Sequence, residues 1–505
     1  MVCCRHLPPK STRRSADDTL QATPLRLLDL NEDVLRLVLE QLSPVSLSTV
    51  ARVHPYIRYL AQQILFSNIR IRLEDDSIYR AYDTQPPIPT NPVLLTIPSL
   101  VATIVQRPDL AGCVRKLSVG GSCWSTRYEG DSAPKLVAHE TDLQATVSFV
   151  LRQTGLSYRH DWAEALRGGS PDAYLAVLIS QLPRLRRLKL TRWFFEASEW
   201  LGCIARSVLH DAGSLGAGMP ARFEDLEDIQ LTRHPVSYLT WPPDDSKRNT
   251  ANALAFLQAP SLINAEVVFD HPDGPDLVWP ANQLPPSPWL TSLCVTGIRE
   301  GHLVQLLAAL PTLRSLQWNF DLSLTPGAEY NSPLIDLELI LGALARSRHT
   351  LSHLELNIRC LNFDHAAPPQ LRLRGTLEEL ATFDQLTSLT VPVLLLTGFE
   401  LPRTAGQPGI GRCLPQNLEK LVLTDGLAMG PQSSHLWPDE SQALREVTVW
   451  LGEARSLTPR LRKLRLFVVD YYGDPPDRIQ DARDAVQRRA EEVGLKTDVH
   501  FSSPW

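Results

Sequence analysis

The chain has 505 residues, enough for about two to four domains or for one long repeat array. Its 50 basic and 56 acidic side chains give a net charge of −6, which provides no electrostatic footprint for nucleic acid or for an anionic membrane. The eight cysteines lack metal-binding spacing, and no signal peptide or membrane-spanning apolar run occurs. We therefore expect a reduced, cofactor-free chain of the cytoplasm, the nucleus or both.

The segment 25–70 follows a polar tail and has the pattern of three helices. Asn31 is a good N-cap for the first helix, and Leu30 precedes it as a hydrophobic staple residue. Ser46 is expected to cap the second helix, and Pro55 suits the first turn of the third. The segment is therefore predicted to be a small three-helix unit.

From residue 99 to about residue 470 one apolar motif recurs. About one residue in six is leucine, and the spacing apolar-x-x-apolar-x-apolar appears about eleven times, in five cases behind a proline. The alternation of the last two apolar positions is typical of a short strand with one buried face. The motifs are Val114/Leu117/Val119, Leu185/Leu188/Leu190, Leu226/Ile229/Leu231, Leu262/Ala265/Val267, Leu290/Leu293/Val295, Leu313/Leu316/Trp318, Leu351/Leu354/Leu356, Leu386/Leu389/Val391, Leu418/Leu421/Leu423, Leu444/Val447/Val449 and Leu461/Leu464/Leu466.

Helical patterns lie between these strands, so each unit is predicted to be helix, turn and strand. One such unit cannot bury its leucines alone, and neighbouring units must therefore stack. The predicted fold class is α/β, an irregular leucine-rich-repeat solenoid with a parallel sheet on its concave face and helices outside. The alternative is a doubly wound α/β domain, but the strands are short and no glycine-rich loop follows them. The uneven spacing predicts long insertions at 120–170 and 232–250, and the step from Val447 to Leu464 is short for two repeats.

The end of the chain changes pattern again. Asp477 to Glu492 is predicted to be a charged helix with one apolar face, and Leu495 to Phe501 alternates like an edge strand. Both would shield the last repeat as a cap. The expected domains are a disordered tail (1–24), the three-helix segment (25–70), a connector (71–98), the repeat array (99–470) and the C-terminal cap (471–505).

No catalytic or metal-binding motif accompanies these elements, which indicates a chain that is not an enzyme. A hydrolase with a site hidden in the 120–170 insertion stays open as an alternative.

The first predicted helix is more informative about function. At 100° per residue, its apolar side chains cover an arc of about 200°, whereas a helix packed on one side needs about 100°. The excess predicts burial against another protein, unless the repeat domain covers that face.

The residues of the three predicted helices resemble a known protein family. The runs Leu30-Asn31-Glu32-Asp33-Val34-Leu35, Leu47-Ser48-Thr49-Val50-Ala51-Arg52-Val53 and Ile57-Arg58-Tyr59-Leu60-Ala61 resemble the F-box, and with leucine-rich repeats behind them the chain is similar to fungal F-box proteins. It departs from the family at Asn31 in place of Pro, His54 in place of Cys and Ile57 in place of Trp.

The resemblance implies a non-catalytic substrate-recognition subunit of a Skp-cullin-F-box E3 ubiquitin ligase. The helices would dock on a Skp-type adaptor, and through it on a cullin, while the repeats bind a protein substrate. A leucine-rich-repeat scaffold without a ubiquitin-ligase role is the alternative. The expected adaptor-binding residues are Leu30, Val34, Leu35, Val38, Leu42, Leu47, Val50, Val53 and Ile57.

The strand pattern predicts which residues of the repeats would face a bound substrate. The residue between the last two apolar positions of each motif should face the concave side, and these residues include no aromatic stacking row for nucleic acid. Basic pairs near the two ends of the array, Arg187 with Lys189 and Lys463 with Arg465, are one candidate grip for an acidic or phosphorylated degron. Ordinary solvated strand edges are the alternative. The candidate substrate-binding residues are Arg187, Lys189, Gln230, Glu266, Gln317, Glu355, Lys463 and Arg465.

Overall fold

The structure is a computed structural model. It describes residues 27–72, 92–120, 135–153, 155–191, 199–210, 223–232, 250–269, 277, 288–323, 332–361, 371–398, 409–424, 427, 440–469 and 477–502. The expected tail at 1–24, most of the expected connector at 71–98 and most of the predicted insertion at 232–250 lie outside these residues. The chain divides into two compact units, residues 1–65 and 66–505.

Three helices follow a 3₁₀ turn at Leu27–Asp29. They are α1 (Glu32–Glu40), α2 (Pro44–Val50) and α3 (Pro55–Ser67). The predicted cap of α1 is confirmed, because Asn31 Oδ1 accepts a hydrogen bond of 2.9 Å from the Val34 amide. The predicted cap of α2 is wrong. Ser43, not Ser46, caps this helix, because Pro44 starts it with a preset φ and leaves the preceding hydroxyl next to the free amides.

The first unit has its own apolar core. Leu35 and Leu39 of α1 pack with Leu47 of α2 and with Ile57 and Leu60 of α3, and all five are buried. Partly buried side chains at the periphery of this core include Leu30, Leu42 and Val50. One side of α1 is therefore used by the fold of the unit itself.

Among the described residues of the second unit, twelve parallel strands form one sheet, in the order β1-β2-β3-β4-β5-β6-β7-β9-β11-β12-β13-β14, and β8 and β10 form a separate parallel pair. The strands are β1 (Asn68–Arg72), β2 (Lys116–Gly120), β3 (Arg187–Thr191), β4 (Asp228–Thr232), β5 (Asn264–Val268), β6 (Ser292–Thr296), β7 (Ser315–Ser323), β8 (Leu334–Asp336), β9 (His353–Leu361), β10 (Arg372–Arg374), β11 (Ser388–Pro392), β12 (Lys420–Thr424), β13 (Lys463–Val469) and β14 (Lys496–Ser502).

Helices alternate with these strands along the chain. They are α4 (Pro92–Gln106), α5 (Pro108–Ala111), α6 (Glu140–Leu151), α7 (Arg159–Arg167), α8 (Pro171–Ser180), α9 (Glu199–His210), α10 (Thr250–Phe256), α11 (Glu300–Ala308), α12 (Leu337–Leu344), α13 (Val393–Thr397), α14 (Ile410–Cys413), α15 (Glu440–Leu451), α16 (Ala454–Leu457) and α17 (Asp477–Glu492). Helix α8 is buried along its whole length. Helix residues and every second strand residue form one continuous apolar core.

A repeated backbone contact fixes the register of successive units. The carbonyl oxygen of Arg115, which directly precedes β2, accepts hydrogen bonds from the amides of Arg186 (2.8 Å) and Arg187 (3.0 Å) at the start of β3. The same pair of bonds recurs from each unit to the next, as far as the carbonyl of Glu419 with Arg462 and Lys463. Because each strand begins at the same position relative to its neighbour, equivalent residues of all units lie side by side.

The predicted motifs form strands of the sheet with one exception. Leu444/Val447/Val449 lies in helix α15, where Leu444 and Val447 are buried and Val449 is 69% exposed. Two apolar residues three positions apart share a face in a helix as well as in a turn and strand, so the spacing alone did not separate the two structures. Thr448, which the motif placed on the concave side, donates instead to the Leu444 carbonyl within the helix.

The sheet also begins and continues differently from expectation. Strand β1 pairs with β2, so the sheet starts at Asn68 inside the segment predicted to be helical, not near residue 99. Its sequence Asn-Ile-Arg-Ile-Arg alternates like a strand, and Phe66 stands at the leading apolar position, so the motif occurs once more ahead of the predicted array. The apolar spacing Leu334/Leu337/Leu341/Leu344 predicts a helix directly after Pro333. The helix starts later, at Leu337, because β8 precedes it and Asp336 Oδ1 caps it. At the C-terminus, the predicted helix 477–492 and the edge strand are confirmed.

Candidate functional site

Helix α1 presents a continuous apolar strip to solvent. Val34 is 40% exposed, Leu37 60% and Val38 42%, and we call these three residues the α1 stripe. At 100° per residue they cover an arc of about 100°, directly beside the arc that Leu35 and Leu39 use for the core. The wide apolar arc of this helix is therefore divided into a buried half and an open half.

The nine residues expected to bind the adaptor fall into three groups. Leu35, Leu47 and Ile57 are buried in the core of the unit and do not reach its surface, so a direct contact with another protein is not available to them in this structure. Leu30, Leu42 and Val50 are partly buried at the edge of that core. Only Val34, Val38 and Val53 are exposed. The sequence pattern marks apolar positions, and the packing of α2 and α3 decides which of them remain open.

Further exposed apolar side chains of the unit were not among the expected contacts. Leu37 belongs to the α1 stripe, and Val45, at the start of α2, is 77% exposed. Tyr59 of α3 is also exposed, and the Tyr56 hydroxyl donates to Glu32 Oε2 at 3.3 Å. Leu37 could have been found from its place in the apolar arc of α1. Val45 and Tyr59 lie on short or mixed faces that carry no such signal.

The sheet of the second unit has one face covered by the core and one open face. The register of the pairings sets one residue from each strand in a single line across the open face, which we call the central row. The row consists of Arg70, Ser118, Lys189, Gln230, Glu266, Cys294, Gln317, Glu355, Thr390, Val422, Arg465 and Asp498. Apart from Thr448, every residue between the last two apolar positions of a predicted motif is in the row. Arg187 and Lys463, which were also expected on this side, lie two residues earlier on their strands. Arg70 and Asp498 are additions from the two strands at the ends of the row.

The middle of the open face is a hydrogen-bonded polar platform. Asn319 Nδ2 donates to Thr296 Oγ1 at 3.0 Å and to Cys294 Sγ at 3.4 Å. Asn357 Nδ2 donates to Asn319 Oδ1 at 2.9 Å and to Glu355 Oε1 at 2.6 Å. Each amide thereby holds its neighbour in one orientation, which gives a rigid surface for a partner.

The thiol in this platform is protonated at neutral pH. Burial, and then the negative charges of Glu266 and Glu355, raise the pKa of Cys294 to about 12, against the lowering effect of the Asn319 amide. A thiol of this pKa is a poor nucleophile. Cys294 is therefore not an activated nucleophile.

The two basic pairs of the open face lie far apart. Arg187 and Lys189 are on β3, whereas Lys463 and Arg465 are on β13, and seven strands separate them. At about 4.8 Å per strand, the two pairs are roughly 38 Å apart along the sheet. Arg465 also forms an ion pair of 3.3 Å with Asp498. One short segment of a partner does not bridge both pairs.

The alternative of a site in the 120–170 insertion finds no support in its described part. Residues 135–153 and 155–170 contain no buried histidine or cysteine, and Trp162 is simply packed in the core with its Nε1 donating to the Ala173 carbonyl at 3.0 Å. In the part of the chain that the structure describes, no group of three or more His, Cys, Asp or Glu side chains is placed to hold a metal ion. No described helix is long and apolar enough to cross a bilayer.

Comparison with known families gives one match, and it covers most of the chain. The profile of the leucine-rich repeat domain matches residues 94–475, which agrees with the stacked strands of the second unit. No curated protein matches the sequence. Domains of this family are typically non-catalytic modules that bind other proteins. The chain belongs to the leucine-rich repeat domain family.

Proposed function

We propose that this chain is the substrate-recognition subunit of a Skp-cullin-F-box E3 ubiquitin ligase. In this proposal the helices between residues 25 and 70 are an F-box that binds a Skp-type adaptor and through it a cullin, and the repeats bind a protein substrate. The chain itself carries out no chemistry. Its place of action would be the cytoplasm, the nucleus or both.

The observation that carries the proposal is the α1 stripe. Fully burying an aliphatic side chain of this size contributes about 1.5–3 kcal/mol, and the three residues of the stripe are each about half exposed. Covering them would therefore contribute roughly 2–4 kcal/mol to association. That is a large share of the free energy of a micromolar complex, which is about 8 kcal/mol.

The second support is that different residues of α1 serve the fold of the unit and the proposed adaptor contact. Leu35 and Leu39 are already buried in the unit, so the fold of the three helices does not need the stripe. Substitutions in the stripe should consequently change binding and leave the fold intact. The residues that we propose for the adaptor contact are Val34, Leu37 and Val38, with Leu30, Leu42, Val50 and Val53 at its margin.

The test is co-purification of the full chain with a Skp-type adaptor. We expect the native chain to retain the adaptor and Val38→Asp to lose it, because a buried unpaired carboxylate opposes association by several kcal/mol. Val449→Asp is the matched control, since Val449 is an exposed valine on α15 of the repeat domain. Retention of the adaptor by Val38→Asp, or equal loss in both variants, would show that α1 is not the docking helix.

A leucine-rich-repeat scaffold without a ligase role is the second candidate. The family match supports it directly, because binding of protein partners is what these domains imply. Both candidates predict partners for the open face, and they differ in the outcome for the bound protein. Reconstitution with adaptor, cullin and ubiquitin-loaded E2 distinguishes them: a partner of the repeats becomes ubiquitinated only if the chain is a substrate receptor.

A further inference from the structure

The open face carries a concentrated basic patch at its N-terminal end. Strands β1 to β3 place Arg70, Lys116, Arg187 and Lys189 on this face, and all four side chains are exposed. We call these four residues the basic end. Arg70 and Lys116 were not among the expected binding residues. Arg70 precedes the predicted start of the array at residue 99, and Lys116 does not lie between the last two apolar positions of its motif.

The four cations lie in two rows. Arg70 and Lys189 belong to the central row and flank Ser118, whereas Lys116 and Arg187 stand opposite each other two residues earlier on their strands. Neighbouring strands are about 4.8 Å apart, and residues two apart on a strand are separated by about 6.6 Å. Ser118 is small and lies between longer side chains, so the surface is lower at Ser118 than at Arg70 or Lys189 on either side.

Among the described residues, one acid in register offsets part of the charge of this patch, which keeps an excess of positive charge. The four side chains make no ion pair or hydrogen bond with any described residue, although like charges on adjacent strands destabilise a sheet. The nearest acid in register is Asp228 on β4, beside Arg187. From β4 to β9 the charged residues of the central row are the acids Glu266 and Glu355. An anionic partner would therefore be attracted to β1–β3 and repelled by the middle of the face.

We propose that the basic end binds an extended acidic peptide segment of a protein partner, with carboxylates at alternate positions. In an extended chain, side chains i and i+2 point to the same side and are about 6.6–6.8 Å apart. That spacing equals the distance between the two basic rows. One carboxylate would lie between Arg70 and Lys189 over Ser118, and the next would lie beside Lys116 and Arg187.

The two-row arrangement favours two carboxylates over one phosphate group. A phosphate concentrates about two negative charges at one point, where a tight cluster of arginines fits best. Here the cations are spread over two rows and include two lysines, which act as separate point charges. The proposal concerns the repeat domain and does not depend on adaptor binding.

Fluorescence anisotropy with the full-length chain at low ionic strength tests the proposal. The probe is a labelled peptide with three glutamates alternating with serines, and the comparison peptide has the same composition with the glutamates three positions apart. We expect the alternating peptide to bind about tenfold more tightly. All its carboxylates lie on one side of an extended chain, whereas carboxylates three positions apart lie on opposite sides in turn. We also expect added salt to weaken the binding, since the contacts are exposed.

Charge reversal locates the site. Arg187→Glu combined with Lys189→Glu should weaken binding at least about tenfold, because charge-assisted hydrogen bonds are lost and repulsion replaces them. Lys420→Glu combined with Lys496→Glu is the matched control, since these lysines occupy the equivalent first positions of β12 and β14 at the far end of the sheet. It should change the affinity less than about twofold. Circular dichroism verifies the fold of each variant.

Three results would overturn the proposal. One is equal loss of affinity in the two double variants, which would mean that the peptide responds only to the total charge. Another is equal binding of the two glutamate peptides. The last is tighter binding of a peptide with a single phosphoserine, which would identify phosphate as the ligand. Val38→Asp should leave the peptide affinity unchanged, so failure of adaptor binding and failure of this site are separate outcomes.

Discussion

Replacement of Asp172 by asparagine should make the repeat domain more stable at alkaline pH. Asp172 lies in the first turn of α8 and is only 8% exposed. Its carboxylate accepts hydrogen bonds from the amides of Trp200 (2.8 Å) and Leu201 (3.2 Å) in the first turn of α9. One acid thereby joins two helices of the array.

Burial is the main influence on this acid. It raises the pKa of Asp172 to about 7, and nearby Glu199 acts in the same direction, against the lowering effect of the amide donors. Because the pKa in the folded chain is above that of the unfolded chain, the folded state binds the proton more tightly. The stabilising contribution is therefore complete below pH 3.8 and is lost as the pH rises to about 7.

The size of the effect follows from the two pKa values. A change from 3.8 in the unfolded chain to about 7 in the folded chain corresponds to about 4 kcal/mol of free energy of unfolding between the two pH limits. Asparagine has a similar shape, retains one acceptor and has no charge to bury. Asp172→Asn should therefore exceed the stability of the native chain by about 1–2 kcal/mol near pH 5 and by up to about 4 kcal/mol near pH 8.

The assay compares urea unfolding of the two chains from pH 5 to pH 8, monitored by far-UV circular dichroism. Hydrogen exchange of the Trp200 and Leu201 amides reports the same change at the contact itself. Asp161→Asn is the matched control, because Asp161 is an exposed acid on α7. If Asp172→Asn is less stable by a constant amount at every pH, the two amide bonds outweigh burial. The reasoning about the pKa of Asp172 would then be refuted.

Three further substitutions test the packing of the repeats. Gly297 has a φ of +92°, and a Cβ at this position would collide with the Phe269 carbonyl oxygen, so Gly297→Ala should lower the free energy of unfolding by about 1–3 kcal/mol. Gly342→Ala, in open space on α12, should raise the free energy of unfolding by about 0.5–1 kcal/mol. An equal effect of both would contradict the backbone argument. Trp318→Ala should cost about 3–5 kcal/mol, because the indole is fully buried and its Nε1 donates to the Ile298 carbonyl at 2.9 Å; an unchanged urea midpoint would show that the site collapses without loss.

The two proposed binding surfaces of this chain depend on different physical forces. The α1 stripe is apolar and gains free energy from leaving water, so its contribution changes little with salt. The basic end is an exposed set of charges, and its contribution falls as ionic strength rises. Measuring adaptor and peptide affinities at several salt concentrations therefore distinguishes the surfaces even in one full-length chain.

The repeat strands could be predicted because their signal is local. Leu188 and Leu190 alternate with Lys189, and the structure buries the leucines and leaves the lysine exposed. The same logic failed at Val449, where a helix satisfies the first two positions of the motif equally well. It also missed Asn68–Arg72, whose pairing with β2 depends on a neighbour more than forty residues away in the sequence.

The amino-acid sequence by itself determined the fold class, the alternation of helix and strand, the cap at Asn31 and the excess apolar arc of α1. These properties depend on residues within about one or two turns of each other, where side-chain period and capping act directly. The tertiary structure alone decided which half of that arc stays open, since α2 and α3 cover Leu35 and Leu39 and leave Val34 and Val38 exposed. It alone also brought Arg70 beside Ser118 and Lys189, because register between strands distant in the chain is fixed by backbone hydrogen bonds and shared burial, and not by any local pattern.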